Sequence, residues 1–280
     1  MAFQFSDSHI ADYHTLGYVV FRGILPTSLI GELRKSCEKA REIAHKTRGK
    51  QAQRLQPIAK FDVNIQPFRD YAELPELNDA VHRLLTKQHS YCNLGKPGTE
   101  DYGVCGVLLE PGETPYCTAW HRDWRDNLPG MPLSDWHANY LNLDFFNQVN
   151  CALYEDSCTW VVPGSHLRRD LPCEARRFPT RPIEPPILTG QTPEQCERTC
   201  LEYCQSMPGA VRLFLNAGDF ALYRNTLWHL GNYIHYRKRA TLHDAVDTPS
   251  YALWRDHIMK ASEERTKAGQ MWENPNQLAA

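Results

Sequence analysis

Two side chains that commonly bind metals lie two positions apart in the segment AWHRDW (119–124). The β-prone tryptophans of this segment predict an extended strand, in which residues i and i+2 project from the same face. His121 and Asp123 would then reach a single ion together. Taken alone, the pair is a weak indication of metal binding, because His-x-Asp occurs by chance in many proteins.

A third ligand must come from a distant segment, and His229 is the best candidate because it ends the β-rich run GDFALYRNTLWH (218–229). Two imidazoles and one carboxylate form a facial triad, which leaves three positions of an octahedral iron(II) open. Those positions can accept a cosubstrate and dioxygen. Three other histidines stand as alternative ligands: His137, His235 and His243.

Arg239 follows His229 by ten residues, and the turn-prone Gly231-Asn232 predicts that the next strand folds back beside the first. An arginine in this position can direct its planar fork at a carboxylate. An iron oxygenase that chelates a keto acid needs such a cation, and none of the alternative histidines shares this spacing to Arg239. The alternative for Arg239 is a surface charge within the basic cluster 237–239.

The elements that must position these residues are predicted from hydrophobic spacing. Helices are predicted at 7–16, 27–46, 75–90, 192–206 and 252–270, with a short strand at 18–21. Short β-prone runs from about 102 to 245 indicate an antiparallel barrel or sandwich. We therefore expect a single domain over residues 1–280, with an N-terminal helical part (about 1–95), a β core (about 100–245) and a C-terminal helix (about 252–270).

An insertion at about 167–206 interrupts the β core with an irregular, Pro- and Arg-rich stretch followed by the helix at 192–206. It is expected to be either a lid over the barrel mouth or peripheral decoration. Within it, Cys196, Cys200 and Cys204 recur every four residues, on one side of the helix. A buried helix face is the favoured interpretation of this row, and a soft-metal site is the alternative.

The composition is that of an ordinary soluble globular protein, with 42% hydrophobic and 23% charged residues and a mean hydropathy of -0.54. A net charge of -2 provides no strong field for nucleic acid or an anionic membrane, so a small-molecule partner is expected. Without a secretion signal or membrane span, the chain is predicted to be cytoplasmic, with ten cysteines as free thiols. We expect a monomer or a homodimer.

Six sequence features follow one another in a consistent order. They are GYVVFRGILP (17–26), WHRDW (120–124), NQVNCALYEDS (147–157), VVPGSH (161–166), AGDFALYRNTLWH (217–229) and Arg239. With these features the chain resembles, over roughly residues 7–245, the phytanoyl-CoA dioxygenase family of iron(II)- and 2-oxoglutarate-dependent oxygenases. The resemblance implies an all-β core with flanking helices, folded as a double-stranded β-helix (a cupin-like jelly roll) with the metal inside its open end.

The resemblance also implies roles for individual residues. His121, Asp123 and His229 match the metal ligands, and Arg239 matches the residue that pairs with the distal carboxylate of 2-oxoglutarate. Three further residues match positions that hold or line the cosubstrate pocket: Thr159, Asn150 and Gln148. Asn150 replaces a frequent tryptophan, and Leu230-Gly231 stands where the family often has Gly-Ser, so a serine contact is missing. His166, in the PGSH turn, is interpreted as structural.

The implied chemistry uses iron(II), 2-oxoglutarate and dioxygen, with ascorbate only as a reductant in vitro. Related halogenases lack the carboxylate ligand, so the presence of Asp123 favours hydroxylation, desaturation or cyclisation of a small molecule of specialised or small-molecule metabolism. Succinate and carbon dioxide would be released. Two alternatives remain: a non-catalytic jelly-roll binding protein, and a cupin-type hydrolase or isomerase that uses zinc or manganese.

Overall fold

A computed structural model describes residues 3–275 of the chain. The strands in this part are β1 (Tyr18–Phe21), β2 (Arg54–Leu55), β3 (Gly106–Leu109), β4 (Tyr116–Cys117), β5 (Asn147–Ala152), β6 (Thr159–Val161), β7 (Val211–Arg212), β8 (Phe220–Arg224), β9 (His229–Tyr233) and β10 (Ala240–Val246). The α-helices are α1 (Asp7–Leu16), α2 (Thr27–Arg48), α3 (Gln66–Ala72), α4 (Pro75–Leu84), α5 (Leu133–Asn139), α6 (Pro172–Arg177), α7 (Pro193–Gln205) and α8 (Pro249–Lys267). The predicted β core with flanking helices is confirmed.

The strands form two antiparallel sheets. The larger sheet has the order β1-β8-β5-β10-β3-β2, and the smaller sheet has the order β4-β9-β6-β7. From β3 to β10 the chain passes back and forth between the two sheets, and each sheet pairs strands that are distant in sequence. This connectivity is that of a double-stranded β-helix, as predicted.

Strand alternation separates a cavity face from a core face in the larger sheet. On β5, Gln148 and Asn150 line an internal cavity. Val149 and Cys151, between and after them, belong to the hydrophobic core on the other side of the sheet. The register of β5 with β8 and β10 therefore decides which side chains can reach the cavity.

Helices α1 to α4 cover the core face of the larger sheet. Each contributes buried side chains to one hydrophobic cluster, such as Leu33 from α2, Phe68 from α3 and Leu77 from α4, which also contains Phe220 from β8. Removal of this apolar surface from water is the main force that holds the helices on the sheet. Within residues 3–275, no helix is long and apolar enough to cross a bilayer.

Helix α7, in the insertion, packs against the smaller sheet. Its cap is the predicted one, since Thr192 Oγ1 accepts a hydrogen bond from the backbone N–H of Gln195. The cysteine row on α7 is buried: Cys196, Cys200 and Cys204 are at most 1% exposed and carry free thiols. The predicted buried helix face is confirmed.

Several predicted element boundaries were wrong. The helix predicted at 75–90 ends at Leu84, because the chain leaves helical geometry at Leu85 (φ -110°, ψ -117°). Helix α3 was not predicted, since its seven residues are too short to show clear helical spacing. The stretch 167–191 is less irregular than expected, because α6 lies within it.

Two predictions about the strands near the candidate ligands were also wrong. Gly231 and Asn232 do not form a turn; they lie inside β9, and the following strand β10 belongs to the other sheet. The segment AWHRDW (119–124) is not a continuous strand, because β4 ends before it at Cys117 and His121 makes only an isolated β-bridge. Tertiary pairing rather than local propensity decides both features.

Gly17 ends α1 in a left-handed conformation (φ +83°), and a Cβ built there would lie 2.4 Å from His166 Nδ1. We expect Gly17→Ala to destabilise the fold by about 3 kcal/mol, since it adds steric overlap to the left-handed backbone term. Gly23→Ala is the matched control, because φ is +60° and no atom lies within 4 Å of the added Cβ; we expect about 1 kcal/mol. Urea unfolding measures both, and equal losses would contradict the contact with His166.

Candidate active site

His121 and His229 lie side by side because their backbones pair. The N–H of His121 donates to the carbonyl of His229 at 3.1 Å, and the N–H of His229 donates to the carbonyl of His121 at 3.0 Å. His229 is the first residue of β9, and β4, just before His121, pairs with the far end of β9. The two imidazole ring centroids are consequently 4.2 Å apart.

Asp123 completes a three-residue group. Its Oδ1 lies 3.2 Å from His121 Nε2 and 3.8 Å from His229 Nε2. One ligand atom from each of the three side chains lies within 4.8 Å of the others, and no second group of three His, Cys, Asp or Glu residues comes as close in residues 3–275. The donor set of two imidazoles and one carboxylate fits a divalent first-row transition metal.

Both imidazoles are oriented by their own backbone. Nδ1 of His121 lies 2.8 Å from the carbonyl of Ala119, and Nδ1 of His229 lies 3.0 Å from the carbonyl of Leu227. A ring nitrogen next to a carbonyl oxygen must carry a proton, so in the neutral imidazole it is Nε2, the nitrogen that faces Asp123, that has the lone pair. This arrangement leaves the same nitrogen of each ring available to a metal.

The electrostatics of the group follow from burial and from mutual contact. Burial and the neighbouring His121 lower the pKa of His229 to about 4. Burial opposes protonation of His121 as well, but the hydrogen bond and charge of Asp123 outweigh it and raise the pKa of that imidazole. Burial would raise the pKa of Asp123, yet its contacts with the two histidines lower it, so its carboxylate is ionised.

Asn127 holds the carboxylate of Asp123 in place. Its Nδ2 donates to Asp123 Oδ1 at 2.7 Å, and its Oδ1 accepts a hydrogen bond from the backbone N–H of Trp124 at 2.7 Å. Trp124 has a left-handed φ of 68°, so the chain turns directly after the carboxylate. The side chain of Asn127 therefore ties this turn to the oxygen that faces both histidines.

The residue between the two predicted ligands faces the opposite way. Arg122 is fully buried, and its Nη1 donates to the carbonyls of Ser165 and Thr226 at 2.6 and 2.8 Å. Its Nη2 lies 3.1 Å from Asp170 Oδ1. The alternation of an extended backbone thus sends His121 and Asp123 to the cavity and Arg122 into the protein interior.

Asp170 connects the insertion to the segment that carries the candidate ligands. Besides Arg122, it contacts Arg125 Nη1 at 2.8 Å, and Arg125 also binds Asp126 through two hydrogen bonds of 3.0 and 2.8 Å. Arg181, from the insertion, donates to Asp126 Oδ1 at 2.5 Å. These five side chains are at most 3% exposed, so the insertion is attached through a buried ionic network.

Trp228 provides an aromatic face for this network. The guanidinium carbons of Arg122, Arg125 and Arg181 lie 5.2, 4.8 and 6.0 Å from its ring centroid. Its indole N–H donates to Glu174 of the insertion at 3.2 Å. Trp228 directly precedes His229 in the chain and Arg122 lies between His121 and Asp123, so a residue next to each of the three candidate ligands is anchored in the same interior cluster.

The candidate ligands open on an internal cavity of about 340 Å³ between the two sheets. Arg239 lines this cavity and is almost fully buried. Its Nε donates to Asp156 Oδ2 at 2.7 Å, whereas its Nη1 is buried and has no hydrogen-bond partner among residues 3–275. One edge of the guanidinium is fixed by a carboxylate of the protein, and the other edge retains an unused donor.

Asp156 is held as an anion. Burial would raise the pKa of Asp156, but Arg239 and hydrogen bonds from Thr241 Oγ1 and the backbone of Cys158 lower it. Sequence reasoning assigned no role to Asp156. A buried arginine needs a counter-ion, and this requirement could have pointed to Asp156, which lies in the segment NQVNCALYEDS.

A chain of hydrogen bonds forms another wall of the cavity. His243 Nε2 lies 2.8 Å from Gln148 Nε2, and His243 Nδ1 lies 2.9 Å from Asn150 Oδ1. Asn150 Nδ2 in turn donates to Thr159 Oγ1 at 2.9 Å. Burial and the charge of Arg54 lower the pKa of His243 to about 3, so its imidazole is neutral. Gln148 Nε2 then donates to His243 Nε2, and His243 Nδ1 donates to Asn150 Oδ1, so every hydrogen bond of the chain runs in the direction from Gln148 to Thr159.

The cavity therefore contains every residue that the sequence analysis singled out for the metal and the cosubstrate. These are His121, Asp123, His229, Arg239, Thr159, Asn150 and Gln148. Of the alternative ligands, His243 is committed to the hydrogen-bond chain, and His137 and His235 do not line the cavity. Trp124 and Tyr223 line it, whereas Trp120 and Trp228 belong to the hydrophobic core behind the smaller sheet.

The remaining sequence interpretations near the site concern His166 and the insertion. His166 packs against Gly17, and its Nε2 lies 3.2 Å from the carbonyl of His14, contacts that fit a structural role. From the insertion, Pro182 and Ile183 line a separate cleft that also contains His121. The insertion thus contributes walls next to the candidate metal site.

The family model for "Phytanoyl-CoA dioxygenase (PhyH)" matches residues 13–233. The matched region contains the three candidate ligands and ends with β9, so β10 and Arg239 lie beyond it. No curated protein sequence shows significant similarity to the chain.

Among solved structures, the chain is similar in fold to EvdMO1, at a TM-score of 0.55 and 15% identity, over 86% of this chain but only 50% of that one. It is similar over 90% of its length and 98% of the other chain to AviO1 from Streptomyces viridochromogenes Tue57, with a TM-score of 0.54 and 15% identity. A third is SnoK, a "non-heme alpha ketoglutarate dependent carbocyclase" from nogalamycin biosynthesis, with a TM-score of 0.53, 18% identity and coverages of 87% and 85%.

Asp170→Asn is expected to destabilise the protein by about 3 kcal/mol, because it removes the anion that Arg122 and Arg125 share in the interior. Urea unfolding measures the loss. Asp79→Asn is the control, since Asp79 forms an exposed pair with Arg83 and should change the stability by at most about 0.5 kcal/mol. Similar effects of the two variants would contradict a structural role for the buried network.

Asn127→Ala is expected to weaken binding of iron(II) or cobalt(II) about 10- to 100-fold, since it frees the carboxylate of Asp123 from its hydrogen bond. Anaerobic calorimetric titration with either metal measures this affinity. Asn139→Ala on α5 is the control, because the Asn139 amide only donates to the carbonyl of Asp135. Unchanged metal affinity in Asn127→Ala would show that Asp123 does not need this support.

Proposed function

The chain belongs to the phytanoyl-CoA dioxygenase family, and on this premise we propose that it is an iron(II)- and 2-oxoglutarate-dependent dioxygenase that oxidises a small molecule. Hydroxylation, desaturation and cyclisation are the outcomes within this class. Succinate and carbon dioxide are the coproducts from the cosubstrate. The metal ligands in this proposal are His121, Asp123 and His229.

One observation carries the proposal. The two imidazoles and the carboxylate converge within 4.8 Å at the wall of a cavity that also contains a buried arginine with an unused donor. The convergence alone is compatible with zinc or manganese in a hydrolase. A desolvated guanidinium edge in the same cavity calls for an anionic ligand, and a 2-oxo dicarboxylate supplies one carboxylate for Arg239 and a chelating end for the metal.

The hydrogen-bond chain of the cavity wall supports a role for Thr159 as a donor. Thr159 Oγ1 accepts from Asn150 Nδ2, so its own hydroxyl proton remains free to point into the cavity. That proton can hold a carboxylate together with Arg239. Asn150 and Gln148 then act by orienting the chain, and Gln148 Oε1 remains a buried acceptor without a partner among residues 3–275.

Iron(II) with bound 2-oxoglutarate supplies dioxygen activation and oxidation of a C–H bond. The protein contributes binding, orientation and the exclusion of bulk water. Asp123 occupies the third ligand position with an oxygen donor, which favours hydroxylation, desaturation or cyclisation over halogenation. Tyr223 and His229 form a buried wall of the cavity on one side of this position, while 17% of the Asp123 side chain remains exposed.

The test is spectroscopic. Anaerobic addition of iron(II) and 2-oxoglutarate to the protein is expected to produce the weak visible charge-transfer band of the chelate. Neither a jelly-roll binding protein nor a zinc hydrolase gives this band, so its absence in the wild type overturns the proposal. His229→Ala is expected to lose the band, because only one imidazole then remains for the metal, while Asp62→Ala, at a fully exposed carboxylate, should retain it.

Arg239→Gln is expected to raise the dissociation constant of 2-oxoglutarate about 10- to 100-fold, because it removes a charge-assisted hydrogen bond in a desolvated site. Titration of the chelate band with 2-oxoglutarate measures the constant. Arg198→Gln, at an exposed arginine on α7, is the control. An unchanged constant in Arg239→Gln would show that another group binds the distal carboxylate.

A further inference from the structure

We call the cavity that holds the candidate ligands the inner cavity, and a second cavity adjoins it. Its volume is about 310 Å³, which is in the range of small-ligand sites. The two cavities share five wall residues: Arg54, Asp123, Trp124, Gln148 and His243. We call this second cavity the outer cleft. It reaches the candidate metal site at Asp123, so a molecule in the outer cleft lies next to the position where oxidation would occur.

Arg54 reaches this junction because of its place in β2. The neighbouring residue Leu55 is fully buried in the hydrophobic core behind the larger sheet. Successive side chains of a strand point to opposite faces, so Arg54 projects toward the cavities. Pairing of Arg54 with Leu108, which lines the inner cavity, fixes this register.

The other charges around the outer cleft are already satisfied. Arg255 forms an ion pair of 2.7 Å with Asp247. Asp244 accepts hydrogen bonds from the backbone N–H groups of Asn93 and Ala245. Asp123 faces the two histidines. The side chain of Arg54, by contrast, makes no hydrogen bond or ion pair with any residue of the described part of the chain, although it lines both cavities.

An unpaired arginine at the surface is ordinary, but one directed into a cleft beside a candidate metal site attracts anions. Its positive charge acts on the cavity, since after burial it is the main contribution to the lowered pKa of His243. Arg239 already provides the cation for the inner cavity and does not line the outer cleft. The cosubstrate therefore leaves Arg54 available to a second ligand.

We propose that the substrate is a small organic anion whose carboxylate or phosphate group pairs with Arg54 while the carbon to be oxidised lies beside Asp123. This inference rests on the proposed dioxygenase function. Trp124 and Tyr251 add aromatic surface to the cleft, so the substrate also carries an apolar or aromatic portion. Arg54 is then a specificity-determining residue, because neutral analogues leave its charge without a partner.

The experiment uses matched probes with the wild-type protein loaded with iron(II) and 2-oxoglutarate. Phenylalkanoic acids are compared with their primary amides, and phenylalkyl phosphates with their parent alcohols. Binding is measured anaerobically by the change in the chelate band, and coupling is measured in air by succinate release. We expect the acids or the phosphates to bind about 10- to 100-fold more tightly than their neutral counterparts. The two anion series distinguish a carboxylate substrate from a phosphate ester.

Arg54→Gln is expected to abolish this preference, whereas Arg54→Lys, which keeps the charge but loses the planar fork, should retain part of it. Arg198→Gln serves as the matched control, since Arg198 is exposed on α7 and should leave the preference intact. Thermal unfolding of each variant excludes loss of folding as the cause.

Three results would overturn the proposal: no anion of the panel binds, the neutral probes bind as well as the anions, or Arg54→Gln keeps the full preference. A weakening of 2-oxoglutarate binding in Arg54→Gln with unchanged probe preference would also overturn it, and would assign Arg54 to the cosubstrate. Failure of the dioxygenase function itself is recognised separately, because the wild type would then lack the chelate band before any probe is added.

Discussion

The two-way backbone bridge between His121 and His229 is the constraint on which the site depends. The segment that follows β4 and the first residue of β9 meet there, so two imidazoles distant in sequence become neighbours. Asp123 completes the group because residues 121 and 123 of an extended chain project from the same face and because Asn127 holds the Asp123 carboxylate with a hydrogen bond. The bridge lies at the start of β9, which is also the strand of the smaller sheet that pairs with both β4 and β6.

The backbone that carries the candidate ligands also makes contacts on its other face. Arg122 and Trp228, the immediate neighbours of candidate ligands, lie in the interior with Asp170 and Glu174 of the insertion. Buried carboxylates and guanidiniums are tolerated only because each finds several partners, and these partners come from distant parts of the chain. The backbone that carries the candidate ligands is therefore anchored by contacts behind it, whereas Asn127 supports the Asp123 carboxylate from the cavity side.

Much of this could be predicted from the sequence where a local period or a motif carried the information. The convergence of residues 121, 123 and 229, the capped helix α7 and its buried cysteine row are of this kind. The double-stranded β-helix followed from the family resemblance. What local patterns could not supply were features decided by tertiary partners: the isolated bridge in place of a strand, the position of the turn before Arg239, the counter-ion Asp156 and the support from Asn127.

The placement of β2 at the outer edge of the larger sheet separates Arg54 from the contacts that hold the candidate ligands. Arg54 provides a charged wall of the outer cleft, and it belongs to neither the bridge nor the buried ionic network. A substitution at this margin can therefore change the charge of the outer cleft without removing a contact of the bridge or of the network. The candidate metal group and the sheet margin are in this sense mechanically independent parts of one cavity system.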